Sequence, residues 1–371
     1  MRKVRGGTDH RLRVRRSSLI IRVVIGAAIP FALAGQSIRG SVVDPGRSPL
    51  VGALVELRGA GGNSLQTVLT SPSGAFQLTA PAPGRYFYRV AAIGFQPRSP
   101  VAVDVPGGGL TVGDIVLQRM VMRLPDLIAA GRGRHCGGSG IADDVFSRLL
   151  ESAHTALQII QATIETGRVG FQVAVVNTRT VFGAINNFEI ADTVVQPLTK
   201  WPVESIDPDT LRVVGFSRDL EPGNESTRWY YGPDPRVLFS DWFLESHCFA
   251  LDKPDRKHRT DTLHLRFSPA RKSPLVDVGG ELVLDAHDLS LLQFSFEMKN
   301  LPKWMAEDAA GGDMQFTRLS SGLWITKNWA MWAPRAGISE FDRRIRVAGQ
   351  VETHGWVTRI FGNDSAGRPP G

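Results

Sequence analysis

Apolar residues alternate with polar ones at period two over several short stretches in the first third of the chain. Val51, Ala53, Val55 and Leu57 share one face, as do Tyr86, Tyr88 and Val90, and again Val101, Val103 and Val105. Alternation at that period marks strands with one buried face. Turn-forming pairs interrupt the stretches at Pro45-Gly46, Ser71-Pro72-Ser73-Gly74, Pro83-Gly84 and Pro106-Gly107. Short strands punctuated about every ten residues predict a small all-β sandwich over residues 36–119, with Gly74 and Gly84 at tight turns.

The pattern then changes. After a Gly/Arg-rich linker at 120–140, apolar positions Ile141, Val145, Phe146, Leu149, Leu150, Ala153, Ala156, Leu157 and Ile160 recur at helical spacing. They predict one amphipathic helix over 141–163, packing one face on a sheet. Strand patterns return at 171–176, 211–216, 261–267, 280–285, 289–298, 312–319, 323–332 and 343–360. The stretch 280–298 reads as a hairpin turning at Ala286-His287-Asp288. The expected fold is mainly β: a sandwich, one helix, then a large antiparallel sheet filling residues 141–360. The Gly/Pro/Ser-rich stretch 361–371 reads as a disordered tail.

The turn order of the first part, with Ser71-Pro72-Ser73-Gly74-Ala75-Phe76, Pro83-Gly84-Arg85-Tyr86 and Ile93-Gly94-Phe95, resembles the carboxypeptidase regulatory-like domain. That resemblance implies a seven-stranded, transthyretin-like sandwich of the carbohydrate-binding-like kind. It implies no function, because such a module serves as a scaffold in many settings. The family's loop commonly carries Thr-Asp where this chain has Thr70-Ser71-Pro72, so no ion-binding role is carried over. The sandwich followed by a short apolar strand and a glycine-basic stretch is similar to the entrance of outer-membrane TonB-dependent transporters, although no plug follows. The helix and meander resemble, in pattern alone, the half-barrel of periplasmic lipoprotein carriers.

A net charge of +7 and a pI near 9.7 would suggest a nucleic-acid partner. The position of the charge removes that suggestion. Residues 1–34 hold eight basic residues against the single acid Asp9, and from Gly35 onward the two signs balance. Basic residues, an apolar run from Val23 to Ala34 and Ala32-Leu33-Ala34 form the layout of a secretory signal. Twelve apolar residues span about 18 Å as a helix, short of a hydrocarbon core of about 30 Å. The reading is therefore an exported protein, in the periplasm or at the outer membrane, with no transmembrane helix after cleavage and no nucleic-acid partner. Arg15-Arg16 is similar to a twin-arginine signal, but the apolar pair after it sits one place late.

Two cysteines in an exported chain usually pair. Cys136 and Cys248 would close a loop of over a hundred residues, worth about 4–5 kcal/mol on the chain-entropy model. Each follows a histidine, so a metal site of His135, Cys136, His247 and Cys248 is the alternative. No other cofactor or metal is implied. None of the eight histidines precedes a glutamate by three residues, so the zinc-peptidase pattern is missing. Asp207-Pro208-Asp209 and Asp252-Lys253-Pro254-Asp255 read as solvated turns, and His258 and His264 as exposed. All eight tryptophans lie between Trp201 and Trp356. Even spacing puts Trp324 and Trp332 on one face of their strand and Trp329 on the other, making these three the candidate ligand-binding residues. The expectation is a non-catalytic envelope protein, structural or binding a lipid, lipoprotein, glycan or outer-membrane protein. The alternatives are an envelope hydrolase or an accessory protein of a TonB-dependent transport system.

Overall fold

The computed structural model describes residues 36–120, 134–136, 144–167, 169–183, 186–219, 228–252, 261–338 and 344–361. The leader at 1–34, residues 362–371 of the tail and most of the linker lie outside the described residues; Phe361, read as the start of the tail, ends the last strand. Seven strands come first: β1 (Gln36–Val43), β2 (Leu54–Arg58), β3 (Ser64–Leu69), β4 (Ala75–Ala80), β5 (Gly84–Ala91), β6 (Arg98–Val105) and β7 (Leu110–Val116). They form two sheets, ordered β4-β1-β7 and β3-β2-β5-β6. Their facing sides bury Ile38, Val42, Val55, Leu57, Leu78, Val90, Ile115 and Leu117; of the alternating sets, Val101 and Val103 are only partly buried and Val51 packs outside this core. Gly74 meets the turn expectation at φ 74°, where a Cβ would come within 2.5 Å of the Val42 carbonyl oxygen. Gly84, at φ 158°, instead opens β5 in an extended conformation. Thr70, in the loop that departs from the family pattern, is fully buried. Its hydroxyl donates to the Leu50 carbonyl and accepts from the Ala53 N–H, a structural role.

The remaining strands are β8 (Arg134–Cys136), β9 (Gly170–Val181), β10 (Phe188–Leu198), β11 (Ser217–Asp219), β12 (Arg228–Tyr230), β13 (His247–Leu251), β14 (Thr262–Pro269), β15 (Asp277–Asp285), β16 (Leu291–Lys299), β17 (Gly311–Arg318), β18 (Trp324–Ile338) and β19 (Ile345–Phe361). Apart from the small β11–β12 hairpin they make one antiparallel sheet, ordered β10-β9-β19-β18-β17-β16-β15-β14-β13-β8. The hairpin expected at 286–288 joins β15 to β16. Among the described residues no helix is long and apolar enough to cross a membrane.

Helix α1 (Asp144–Glu165) lies on this sheet and against the sandwich at once. Phe146, Leu149, Ala153, Ala156, Leu157 and Ile160 join the core of the large sheet. Ile159 and Ala162, on another face, pack with Leu54 and Leu69 of the sandwich. One-sided packing, the sequence expectation, is therefore only half of what the helix does. Arg89 of β5 pairs with Glu151 and donates to Gln158, fastening the same junction. Gly35–Gly371 accordingly forms one compact unit.

The stretch 211–216, expected as a strand, instead holds the end of helix α2 (Pro208–Val214) and its cap. The cause is local. Asp207 accepts from the N–H groups of Asp209 and Thr210, Pro208 occupies the first turn, and Gly215 ends the helix at φ 76°. Asp207-Pro208-Asp209 is thus a helix start rather than a free acidic turn. Two short helices follow, α3 (Pro235–Leu238) and α4 (Asp241–Ser246), capped by Asp234 and Ser240.

Candidate functional site

The large sheet has one face covered by α1 and the 199–246 segment, and a β-bulge decides which tryptophans share it. Gln315 pairs with Asn328 and Phe316 with Thr326, leaving Lys327 as an extra residue in β18. The extra residue reverses the alternation. Trp324 and Trp329 therefore lie on the covered face and Trp332 on the opposite one, which differs from the even-spacing expectation. Trp329 is buried against β19, where a Cβ on Gly355 would meet its ring at 2.1 Å. Trp324 lines a 280 Å³ crevice at the junction with the sandwich, beside Val51, Ile93 and Ile159. Trp332 lies over Gly311 and its indole N–H donates to the Asp308 carbonyl at 3.0 Å. The widely exposed tryptophans are Trp229, at 44%, and Trp356, at 42%.

Trp229 marks the end of the covered face where the cover runs out. There the β11–β12 hairpin stands over β18 and β19 and leaves an open groove of about 410 Å³. Met298, Met331, Ala333 and Val351 are its floor, and Val203, Trp229 and Tyr230 its wall. Two hydrogen bonds from Arg228 to Asp219, at 2.8 and 3.4 Å, hold the hairpin shut across its strands. The Tyr230 hydroxyl donates to the Met305 sulfur at 3.3 Å. Thioethers, an aliphatic floor and an aromatic wall fit a flexible apolar chain, because methionine fills irregular space without fixed geometry. Glu204, Arg228 and Arg335 are the charged residues that line the groove. Its floor and wall are assembled from four strands and the 199–206 segment, and the wall residues Trp229 and Tyr230 carry no distinguishing motif in the sequence.

The other sequence-derived candidates have structural surroundings. Cys136 and Cys248 face each other across β8 and β13 and form a disulfide with S–S 2.04 Å. The adjacent His247 points to the other side of its strand, fully buried and stacked on Phe243 at 3.7 Å. Its ring nitrogens lie 3.2 Å from the Phe243 carbonyl and 3.1 Å from the Val278 carbonyl. The sulfurs are thus bonded to each other and this imidazole is turned from them, against the four-residue metal alternative. Among the described residues no three His, Cys, Asp or Glu side chains are placed to hold a metal ion. Asp252 pairs with Arg266, while Lys253, Pro254, Asp255 and His258 lie outside the described residues. His264, expected on the surface, is half-buried 3.1 Å from Glu281.

Besides Arg236, whose guanidinium is pushed up by its hydrogen bond and charge pairing with Asp234, two titratable groups are perturbed. Burial, then the charges of Arg89 and Arg58, lowers the His154 pKa to about 4; its ring stacks on Phe239 at 4.3 Å. Burial raises the Asp313 carboxyl, partly offset by a hydrogen bond from Gln293. Neither lines the groove.

Residues 37–118 match the carboxypeptidase regulatory-like domain. The seven strands of the sandwich fall within or beside that match, which stops short of the helix and the large sheet. It gives no support to a carrier likeness of the second part. A search of curated proteins finds no match to the chain. Solved structures give distant similarities. The 3-chlorocatechol 1,2-dioxygenase of Rhodococcus opacus 1CP is 14% identical over 24% of this chain and 62% of its own, with a TM-score of 0.18. A streptococcal ancillary pilin is 11% identical over 47% of this chain and 52% of its own, at 0.21. The major pilin subunit of Bacillus cereus is 8% identical over 83% of this chain and 97% of its own, at 0.22. The chain spans less than two thirds of the first two proteins, and scores this low do not indicate a shared overall arrangement.

Proposed function

We propose that the protein is an exported, non-catalytic binding protein of a bacterial envelope whose large sheet holds an apolar chain in the groove under the β11–β12 hairpin. The observation that carries this reading is the groove itself: a concave apolar floor left open where its helical cover ends. Lipids and lipoproteins present acyl chains of the shape that such a floor can bury, at about 0.8 kcal/mol per methylene removed from water. Export is supported by the signal-like leader and by the disulfide, a bond characteristic of oxidising compartments. The sandwich, with its own buried core, is read as a rigid scaffold fastened to the binding sheet through α1.

Fluorescence of cis-parinaric acid, a naturally emitting fatty acid, tests this on the purified full chain. Its emission is expected to rise saturably at one molecule per chain and to be displaced by palmitate. Ala333→Trp, which fills the groove, is expected to weaken binding at least tenfold with an unchanged circular dichroism spectrum, and Trp324→Ala is expected to leave it unaltered. Equal binding by Ala333→Trp and the unaltered protein contradicts the assignment.

A further inference from the structure

Strand β10 is the open edge of the ten-stranded sheet, and every residue from Phe188 to Pro197 is exposed. It pairs with β9 over eleven residues in unbroken register. Open edges are normally shortened, bulged or guarded by lysine, since their free N–H and C=O groups recruit other strands. β10 is neither short nor bulged and has no lysine; its guards are two acidic residues and Pro197 near its end. It carries Phe188, Ile190, Val194 and Val195, each at least 40% exposed, and Glu189 and Asp192 as its only charges.

We propose that β10 pairs antiparallel with β10 of a second copy of this chain, about a two-fold axis at Thr193, making one continuous sheet through the dimer. Pro197 fixes which residues face outward, and the axis at Thr193 is chosen as the one that pairs the strand over its full length. A proline in a sheet turns its nitrogen to the open side, because it has no N–H to give. Pro197 therefore places the backbone groups of residues 189, 191, 193 and 195 outward, in step with it at period two. Pairing about Thr193 sets these outward residues against one another: Thr193 faces the partner's Thr193, Ala191 faces the partner's Val195, and Glu189 faces the partner's Pro197. The hydrogen-bonding groups then meet, and the missing N–H falls at the end of the ladder. On the other face Phe188 meets the partner's Leu198 and Ile190 meets the partner's Gln196. Asp192 lies opposite the partner's Val194, so no two like charges are directly opposed, which would be unfavourable. This self-complementarity favours a second copy over an unrelated strand, and an isologous contact closes as a dimer without growing into a fibre.

Sedimentation equilibrium of the full chain, purified after export, is expected to give twice the chain mass at micromolar concentration. Thr193→Cys is expected to form an intermolecular disulfide on air oxidation, because directly opposed Cα atoms lie about 5.5 Å apart. Ala191→Cys is expected to stay unlinked, its two copies lying roughly 14 Å apart by strand rise and spacing. Thr193→Pro, which removes only an outward N–H, is expected to give a folded monomer. A monomer for the unaltered chain overturns the proposal, as does a dimer that cross-links equally at both positions or at neither.

Discussion

His154 shows how one side chain ties pH to the joining of the two β parts. Held neutral between Phe239 and the arginines of the sandwich, it has a folded pKa of about 4, below its ordinary 6.5. Between these values the unfolded chain takes up a proton that the folded chain refuses, so stability falls as pH drops from 6.5 and levels off below about 4. The full effect is about 3 kcal/mol by linkage. His154→Gln is expected to flatten that part of the stability profile, measured by urea unfolding at pH 7, 5.5 and 4; an unchanged slope contradicts it. Gly355 is the second sensitive position. Its absent Cβ is what lets Trp329 lie on β19, so Gly355→Ala is expected to cost about 1–3 kcal/mol through overpacking. A midpoint within error of the unaltered protein in thermal unfolding would show that the ring has room.

Among the elements, α2 separates what the sequence shows from what it conceals. Leu211, Val213, Val214 and Phe216 look like an alternating strand, yet Asp207 caps a helix through two backbone N–H groups. Asp207→Ala is expected to destabilise the protein by about 1 kcal/mol in chemical unfolding, whereas no change would return 207–209 to a plain solvated turn. The signal was present as Asp-Pro followed by Gly215, but it competed with apolar alternation. Alternation itself was sound in the sandwich, because both of its sheets have one inner face and short turns. It failed to place Trp324 and Trp332 because a single extra residue, Lys327, reverses facing without altering composition. β10 was hidden for another reason: with both faces exposed, its residues carry no period-two contrast. The Cys136–Cys248 pairing was legible from export and cysteine number. Peptide mapping without reductant is expected to recover the cross-linked pair spanning 112 residues, and two free thiols in the exported protein contradict it.

At the scale of the whole molecule, a sandwich that looks self-sufficient in sequence is also one wall of a shared core. A fragment of residues 36–119 is expected to keep a β circular dichroism spectrum, since its interior closes on itself. It would expose Leu54 and Leu69, so it is expected to be less soluble than the full chain; a random-coil spectrum contradicts its independence. The groove was not legible in advance, because its floor and wall come from β16, β18, β19, β12 and the 199–206 segment, brought together only by the sheet order. Its occupancy by an apolar chain is the central claim, and quenching by a brominated fatty acid tests it most directly, since bromine quenches only nearby indoles. Trp229 at the wall is predicted to be quenched, saturating at one fatty acid per chain. Trp229→Phe combined with Trp332→Phe should remove most of that quenching, because both indoles line the groove, and Trp324→Phe almost none. Emission that stays unquenched, or quenching that survives in the double variant, would contradict an apolar ligand in this groove.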